Sequence, residues 1–108
     1  MTVVSFSQIN IKLEDVGKHV GDTVKVCGKV YGVRYLETTK NQPTFLNVGA
    51  SFPKQVLTVV IWSDVRKQFE KAPELLFADK EVCITGKVEV YKGKVQIVVR
   101  ERKHLSEP

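Results

Sequence analysis

Few residues of this chain have the type and spacing that bond-making chemistry requires. Cys27 and Cys83 are the two cysteines, and His19 and His104 the two histidines, in unrelated contexts. No CxxC or HxxxH pair brings any two of them together, so no zinc site is expected. Two cysteines are too few for a disulfide framework, and they read as free thiols in a reducing compartment. Asp64, Glu70 and Glu74 lie on or near a helix-like segment, where their spacing reads as solvated surface rather than a divalent-metal site. No nucleophile–base pair and no phosphate-cradling glycine loop is visible. The sequence therefore points away from an enzyme and implies no cofactor. What remains is the chemistry of binding: cations that meet phosphate, and aromatic faces on which bases stack.

The cations are not spread evenly. From Thr23 to Trp62 there are five (Lys25, Lys29, Arg34, Lys40, Lys54) against Glu37 alone; from Val82 to Lys103 there are six against Glu89 and Glu101. Ser63 to Glu81, the helix-like stretch, is balanced. The net charge of +5 thus sits on strand-like segments, the asymmetry expected of a polyanion-binding face. A length of 108 residues fits one domain, read as a core over 22–100 with a lead-in over 1–21 and a tail over 101–108. No apolar run approaches the roughly 20 residues that cross a bilayer, so a membrane partner is not expected. Met1 to Asn10 carries no positive charge and does not read as a secretory signal; a cytoplasmic protein is the default.

The elements that would position these residues follow from periodicity. Asp15 to Gly21 reads as a helical turn, and Gly21-Asp22 as a tight turn. Val24, Val26, Gly28 and Val30 alternate with Lys25, Cys27, Lys29 and Tyr31, and the strand runs on to Leu36. Gly28 and Gly32 inside it predict a bulge or a barrel corner. Thr44–Val48 and Val56–Trp62 are two further strands. Ser63-Asp64 supplies an N-cap for one helix between Ser63 and Phe77, with a helical turn around Pro73. Glu81–Tyr91 and Lys94–Arg100 form a hairpin about Lys92-Gly93. The likeness of Val26–Val30 to Ile84–Val88 reflects a shared strand pattern rather than duplication. Leu57, Val59, Ile61, Val95, Ile97 and Val99 are the expected core, Trp62 a packing residue, and the tail from Glu101 polar and frayed.

Five strands with a helix between the third and fourth form an all-β, five-stranded Greek-key barrel of the OB type. Val24-x-Val26-x-Gly28-x-Val30-x-x-Val33-Arg34, then Phe45-Leu46-Asn47-Val48 and Leu57–Ile61, resembles the anticodon-binding OB domains of aminoacyl-tRNA synthetases. Gly86-Lys87-Val88 through Tyr91-Lys92-Gly93-Lys94-x-Gln96-Ile97 looks like the closing hairpin of small bacterial OB domains. The resemblance implies that Arg34 contacts RNA and that Phe45 stacks on a base. Thr58 stands where that family has a base-reading Gln, and Asn47 where it usually has an Asp. With no synthetase catalytic region in the sequence, the chain is not expected to be a synthetase.

Arg34, Phe45, Asn47, Thr58, Lys92 and Lys94 are therefore the expected nucleic-acid-binding residues, with Tyr31 and Tyr35 weaker stacking candidates. The expected function is non-enzymatic binding of single-stranded DNA or RNA in a basic groove with aromatic stacking. The alternative is a protein-interaction or assembly module, an accessory subunit or homodimer, that uses the barrel edge. Val98, which shares the outward parity of Gln96, would suit such a contact. Cys27 and Cys83 fall at outward positions of neighbouring strands and could approach closely.

Overall fold

Valines at alternate positions build the longest strand, β2 (Thr23–Tyr35): Val24, Val26 and Val30 are fully buried, while Lys25, Lys29 and Tyr31 face out. The computed structural model describes residues 9–108, so most of the expected lead-in is seen and its first eight residues lie outside the described residues. In β2 the register slips between Val30 and Gly32, the bulge that its glycines predict. Gly28 sits at a tight crossing, where a Cβ would meet Leu13 Cδ2 and Val48 Cγ1, each at 2.8 Å.

β3 (Thr44–Val48), β4 (Leu57–Ile61), β5 (Glu81–Tyr91) and β6 (Lys94–Val98) complete the expected five. β2 pairs antiparallel with β3, and β3 with β4; β4 runs parallel to β6, which pairs antiparallel with β5. The β2–β5 pairing then closes the circuit. This is the Greek-key barrel of the OB fold. Leu46, Leu57, Ile61, Ile84 and Ile97, all fully buried, fill it together with the valines. Burying each such side chain contributes about 1.5–3 kcal/mol.

The segment after β4 departs from expectation. It forms two single turns, α1 (Ser63–Arg66) and α2 (Pro73–Leu76), instead of one helix. Pro73 has no N–H to continue a preceding helix and suits a first turn, so the chain restarts there. The N-cap position falls on Trp62, with no side-chain cap, rather than on Ser63 or Asp64. Val65, Phe69 and Phe77 still reach the core, and the two phenylalanine rings meet edge-on at 5.9 Å.

Two short strands lie beyond the expected five. β1 (Ile9–Ile11) runs parallel to Val24–Val26, and β7 (Leu105–Ser106) pairs with Ile84 and Cys83 of β5. The tail is therefore pinned rather than frayed: Leu105 is 3% exposed and joins the core, and Lys80 pairs with Glu107 at 3.2 Å. A 3-10 segment, Leu13–His19, covers the region of the expected helical turn and buries Val16. Cys27 and Cys83 are directly opposed across β2 and β5, with Cα atoms 4.0 Å apart, and form a disulfide. Their shared outward parity brings them together, which overturns the reading as free thiols.

Glu74 is another correction, because it is not solvated surface. Its carboxylate takes a two-pronged ion pair from the Arg66 guanidinium, one prong at 3.0 Å, and Arg66 also donates to the buried Thr44 hydroxyl at 3.0 Å. Burial pushes the Glu74 pKa up, but the bonds from Arg66 and the local backbone outweigh it and hold the carboxyl below its ordinary value of 4.5. A carboxyl lowered on folding stabilises the fold fully above its unfolded pKa and loses that contribution as pH falls through its folded value. Thermal unfolding midpoints should therefore fall as pH drops below that range. Glu74→Gln should cost roughly 1 kcal/mol at neutral pH and flatten the decline. A variant with an unchanged pH profile would show that the pair does not act. No helix of the described residues is long and apolar enough to cross a membrane.

Candidate nucleic-acid interface

Strand register sets two rows of side chains on the outer face of the barrel. Gly32, Asn47, Thr58 and Gln96 are successive partners across β2, β3, β4 and β6. Arg34, Phe45, Val60 and Val98 form the adjacent row on the same strands. Partners in a row stand about 4.5–5.5 Å apart at Cβ, so each row is a contiguous surface. Val60 is 2% exposed and Val98 7%, although both point away from the barrel interior. Val98 is thus not the exposed apolar contact expected of it. With Val60 it forms a covered apolar pair in the row of Phe45, outside the cleft lining.

Arg34, Phe45, Asn47, Thr58, Lys92 and Lys94 all line one open cleft of about 470 Å³. Phe45, Asn47 and Thr58 are half-buried, while Arg34, Lys92 and Lys94 are exposed at the rim. Lys92 and Gly93 both have left-handed backbone, φ 51° and 77°, as a two-residue β-hairpin of the primed type requires. That turn carries Lys92 to the cleft, with its ammonium 5.4 Å from the centre of the Tyr91 ring. Lys94 Nζ donates to the Pro53 carbonyl at 3.2 Å, which ties the β5–β6 turn to the loop between β3 and β4.

That loop supplies what sequence reasoning missed. Phe52 lines the cleft, as do Tyr91, Gln55 and Gln96. Phe52 is 69% exposed and Tyr91 59%, so the cleft has aromatic faces on its loops as well as on its sheet. Both could have been noticed in the sequence as large aromatics flanking turn residues, Pro53 and Lys92-Gly93. Gln55 Nε2 donates to Thr58 Oγ1 at 3.1 Å. Three cations and no carboxylate line the cleft, so its field favours an anion.

The other aromatic candidates lie elsewhere. The Tyr35 ring is covered by the Arg66 guanidinium at 3.6 Å and belongs to a separate hollow of about 250 Å³ with Phe69. The hydrogen bond with Glu74 raises the Arg66 pKa above its ordinary value, against the effect of burial, so this cation is permanent. Tyr31 lies under Lys29 at 5.1 Å and takes no part in the cleft lining. Trp62, expected to pack, is 36% exposed and borders a third hollow with Asn41. Glu70 pairs with Arg102, which lowers its pKa. Among the described residues no three His, Cys, Asp or Glu side chains converge as a metal site.

No family model and no curated protein matches the chain. Solved structures do. The yeast Stn1 and Ten1 structure superposes with a TM-score of 0.64 at 10% identity, over 93% of this chain and 62% of that one. The S. pombe Stn1–Ten1 complex gives 0.53 at 17% identity, over 80% and 57%. Entamoeba histolytica asparaginyl-tRNA synthetase gives 0.57 at 20% identity, over 88% of this chain and 23% of that chain. The chain has the OB fold. This OB barrel spans 57% and 62% of the Stn1–Ten1 chains that it matches, and less than a quarter of the synthetase. At these identities the likeness establishes architecture, and the ligand has to be argued from the cleft.

Proposed function

We propose that this OB barrel binds single-stranded nucleic acid without catalysing a reaction. The observation that carries the reading is the cleft itself, with Phe45, Phe52 and Tyr91 among Arg34, Lys92 and Lys94 and no carboxylate. Aromatic faces stack on any base, and the flanking cations meet the backbone that connects successive bases. A duplex, with its bases already stacked, offers no free faces to Phe45. That one structural neighbour is named as a tRNA synthetase agrees with the reading.

The experiment is a titration of a single-stranded oligomer at two salt concentrations. Three phosphate contacts on a single strand give a log–log salt slope of about −2, or roughly a twentyfold loss of affinity between 50 and 200 mM salt. Lys92→Ala should make the slope shallower by about 0.7, because one counterion-releasing contact is gone. Salt-independent affinity, or no binding, would remove the proposal.

A second reading, a protein-assembly module, is favoured by the strong exposure of Phe52 and Tyr91. The neighbours described as structures of Stn1 with Ten1 also agree with it. Sedimentation that depends on concentration, in a protein that ignores oligonucleotides, would favour this reading.

A further inference from the structure

We infer that a basic hollow over β5 and β7 holds small thiols that carry a carboxylate, and that such a thiol attacks Cys83 from there and opens the Cys27–Cys83 disulfide. The site shares no residue with the cleft and does not depend on the single-strand reading. Register lays out the outer face of β2, β5 and β7 in rows. Cys27, Cys83 and Ser106 are successive partners across the three strands, and Lys25 with Thr85 forms the adjacent row. The turn Arg102–His104 precedes β7 and brings Lys103 and His104 to the same place. Lys25, Cys83, Thr85, Lys103, His104 and Ser106 together line an open hollow of about 410 Å³.

Charge suits that hollow to an anionic thiol. No carboxylate lines it. Glu101 stands just outside, 3.3 Å from Lys103 Nζ and 3.6 Å from His104 Nε2, and offsets part of their charge. Lys29 and Glu81 face each other in the row beyond the cysteines and cancel, and Lys80 pairs with Glu107. Lys25 and Lys87, on the same outer face, pair with no carboxylate among the described residues. The Thr85 and Ser106 hydroxyls add donors for a bound carboxylate.

Geometry selects the sulfur. Exchange needs the incoming, attacked and leaving sulfurs close to a line. Cys27 and Ser106 flank Cys83 from opposite sides, so a thiolate over Ser106 meets the Cys83 sulfur opposite its bond to Cys27. The new bond joins the small thiol to Cys83 Sγ, and the electron pair of the broken bond leaves on Cys27 Sγ. Cys27 faces solvent, where its thiolate takes a proton from water. A second small thiolate then attacks the first and releases Cys83, so two small thiols are oxidised to one disulfide as the protein's bond is reduced. Thiols without a carboxylate have no such hold, and for them the exposed Cys27 remains the open sulfur.

Reduction of the wild-type disulfide by 3-mercaptopropionate and by the ammonium thiol cysteamine is the test. Each rate is divided by that thiol's rate with uncharged hydroxyethyl disulfide, which cancels differences in thiol acidity. The corrected rates should favour the carboxylate thiol at least about fivefold at low salt, and the preference should shrink in about 0.5 M salt. Lys25→Gln and Lys103→Gln should each lower the preference roughly twofold, because each removes one attracting charge. Lys40→Gln, on an exposed loop, should leave it intact. In the single-cysteine variants, exchange with the disulfides of the same two thiols locates the site. Cys27→Ser, which keeps Cys83, should prefer the carboxylate disulfide more strongly than Cys83→Ser does. Equal corrected rates, a preference for cysteamine, or purified protein without the bond would overturn the inference. A preference that survives Lys25→Gln and Lys103→Gln together would remove the hollow as its cause. A preference stronger at Cys27 than at Cys83 would overturn the attack on Cys83.

Discussion

Phe45→Ala is expected to weaken single-strand binding by about 1–3 kcal/mol, roughly 5- to 150-fold, while leaving the salt slope unchanged. The size follows from the loss of one stacking face. The unchanged slope follows from charge, since phenylalanine neutralises no phosphate and releases no counterion. Phe45 is half-buried, lines the cleft and is the register partner of Val60, which is 2% exposed. Truncating a half-buried ring also makes the variant less stable. Affinity is therefore to be measured well below the unfolding midpoint, with Phe45→Trp as a companion that keeps a stacking face. Recovery of affinity in the tryptophan variant would identify stacking as the cause. Phe45→Ala with undiminished, salt-sensitive binding would move the stacking role to Phe52 and Tyr91 on the loops.

The barrel strands were legible because their information is local. Alternating valines, two glycines at the corner of β2 and a Lys-Gly hairpin specify strand, bend and turn within a few residues each. The cleft was partly legible for the same reason: parity along β3 and β4 put Phe45, Asn47 and Thr58 on one face. What could not be read depends on partners distant in the chain. β7 is two residues long and exists through its pairing with β5, so nothing periodic announces it. Leu105 is apolar in a polar tail and becomes core only when that strand docks. The bulge after Val30 made the facing of Tyr35 ambiguous, and Arg66, 31 residues away in sequence terms but stacked on its ring, removes it from the cleft. Gln96 came to the cleft only because the parallel β4–β6 register set it beside Thr58. Outward parity also misled at Val98, because a sheet position can face away from the barrel and still be covered.

Removing the Cys27–Cys83 disulfide is expected to produce the largest change in stability, with little effect on binding. The bond joins residues 56 apart in sequence. In the chain-entropy account, closing a loop of that length restricts the unfolded ensemble by about 4 kcal/mol, and measured values typically run at about 2–4. For a domain of this size that is a fall in the unfolding midpoint on the order of 10–20 °C. The bond lies on the β2–β5 pairing that closes the barrel, and neither cysteine lines the cleft. Cys83 is 7% exposed and is paired through β7, whereas Cys27 faces solvent, so a small reductant has a sulfur to attack. Dithiothreitol should lower the midpoint of the wild-type protein and leave that of a Cys27→Ala, Cys83→Ala double variant unchanged. Both proteins should bind an oligomer with the same affinity and salt slope at a temperature where each is folded. Two titratable thiols in protein purified without reductant, with a midpoint indifferent to dithiothreitol, would show that the cysteines are free. Loss of binding on reduction, with the fold intact, would instead mean that closure of β2 on β5 holds the cleft rows in register.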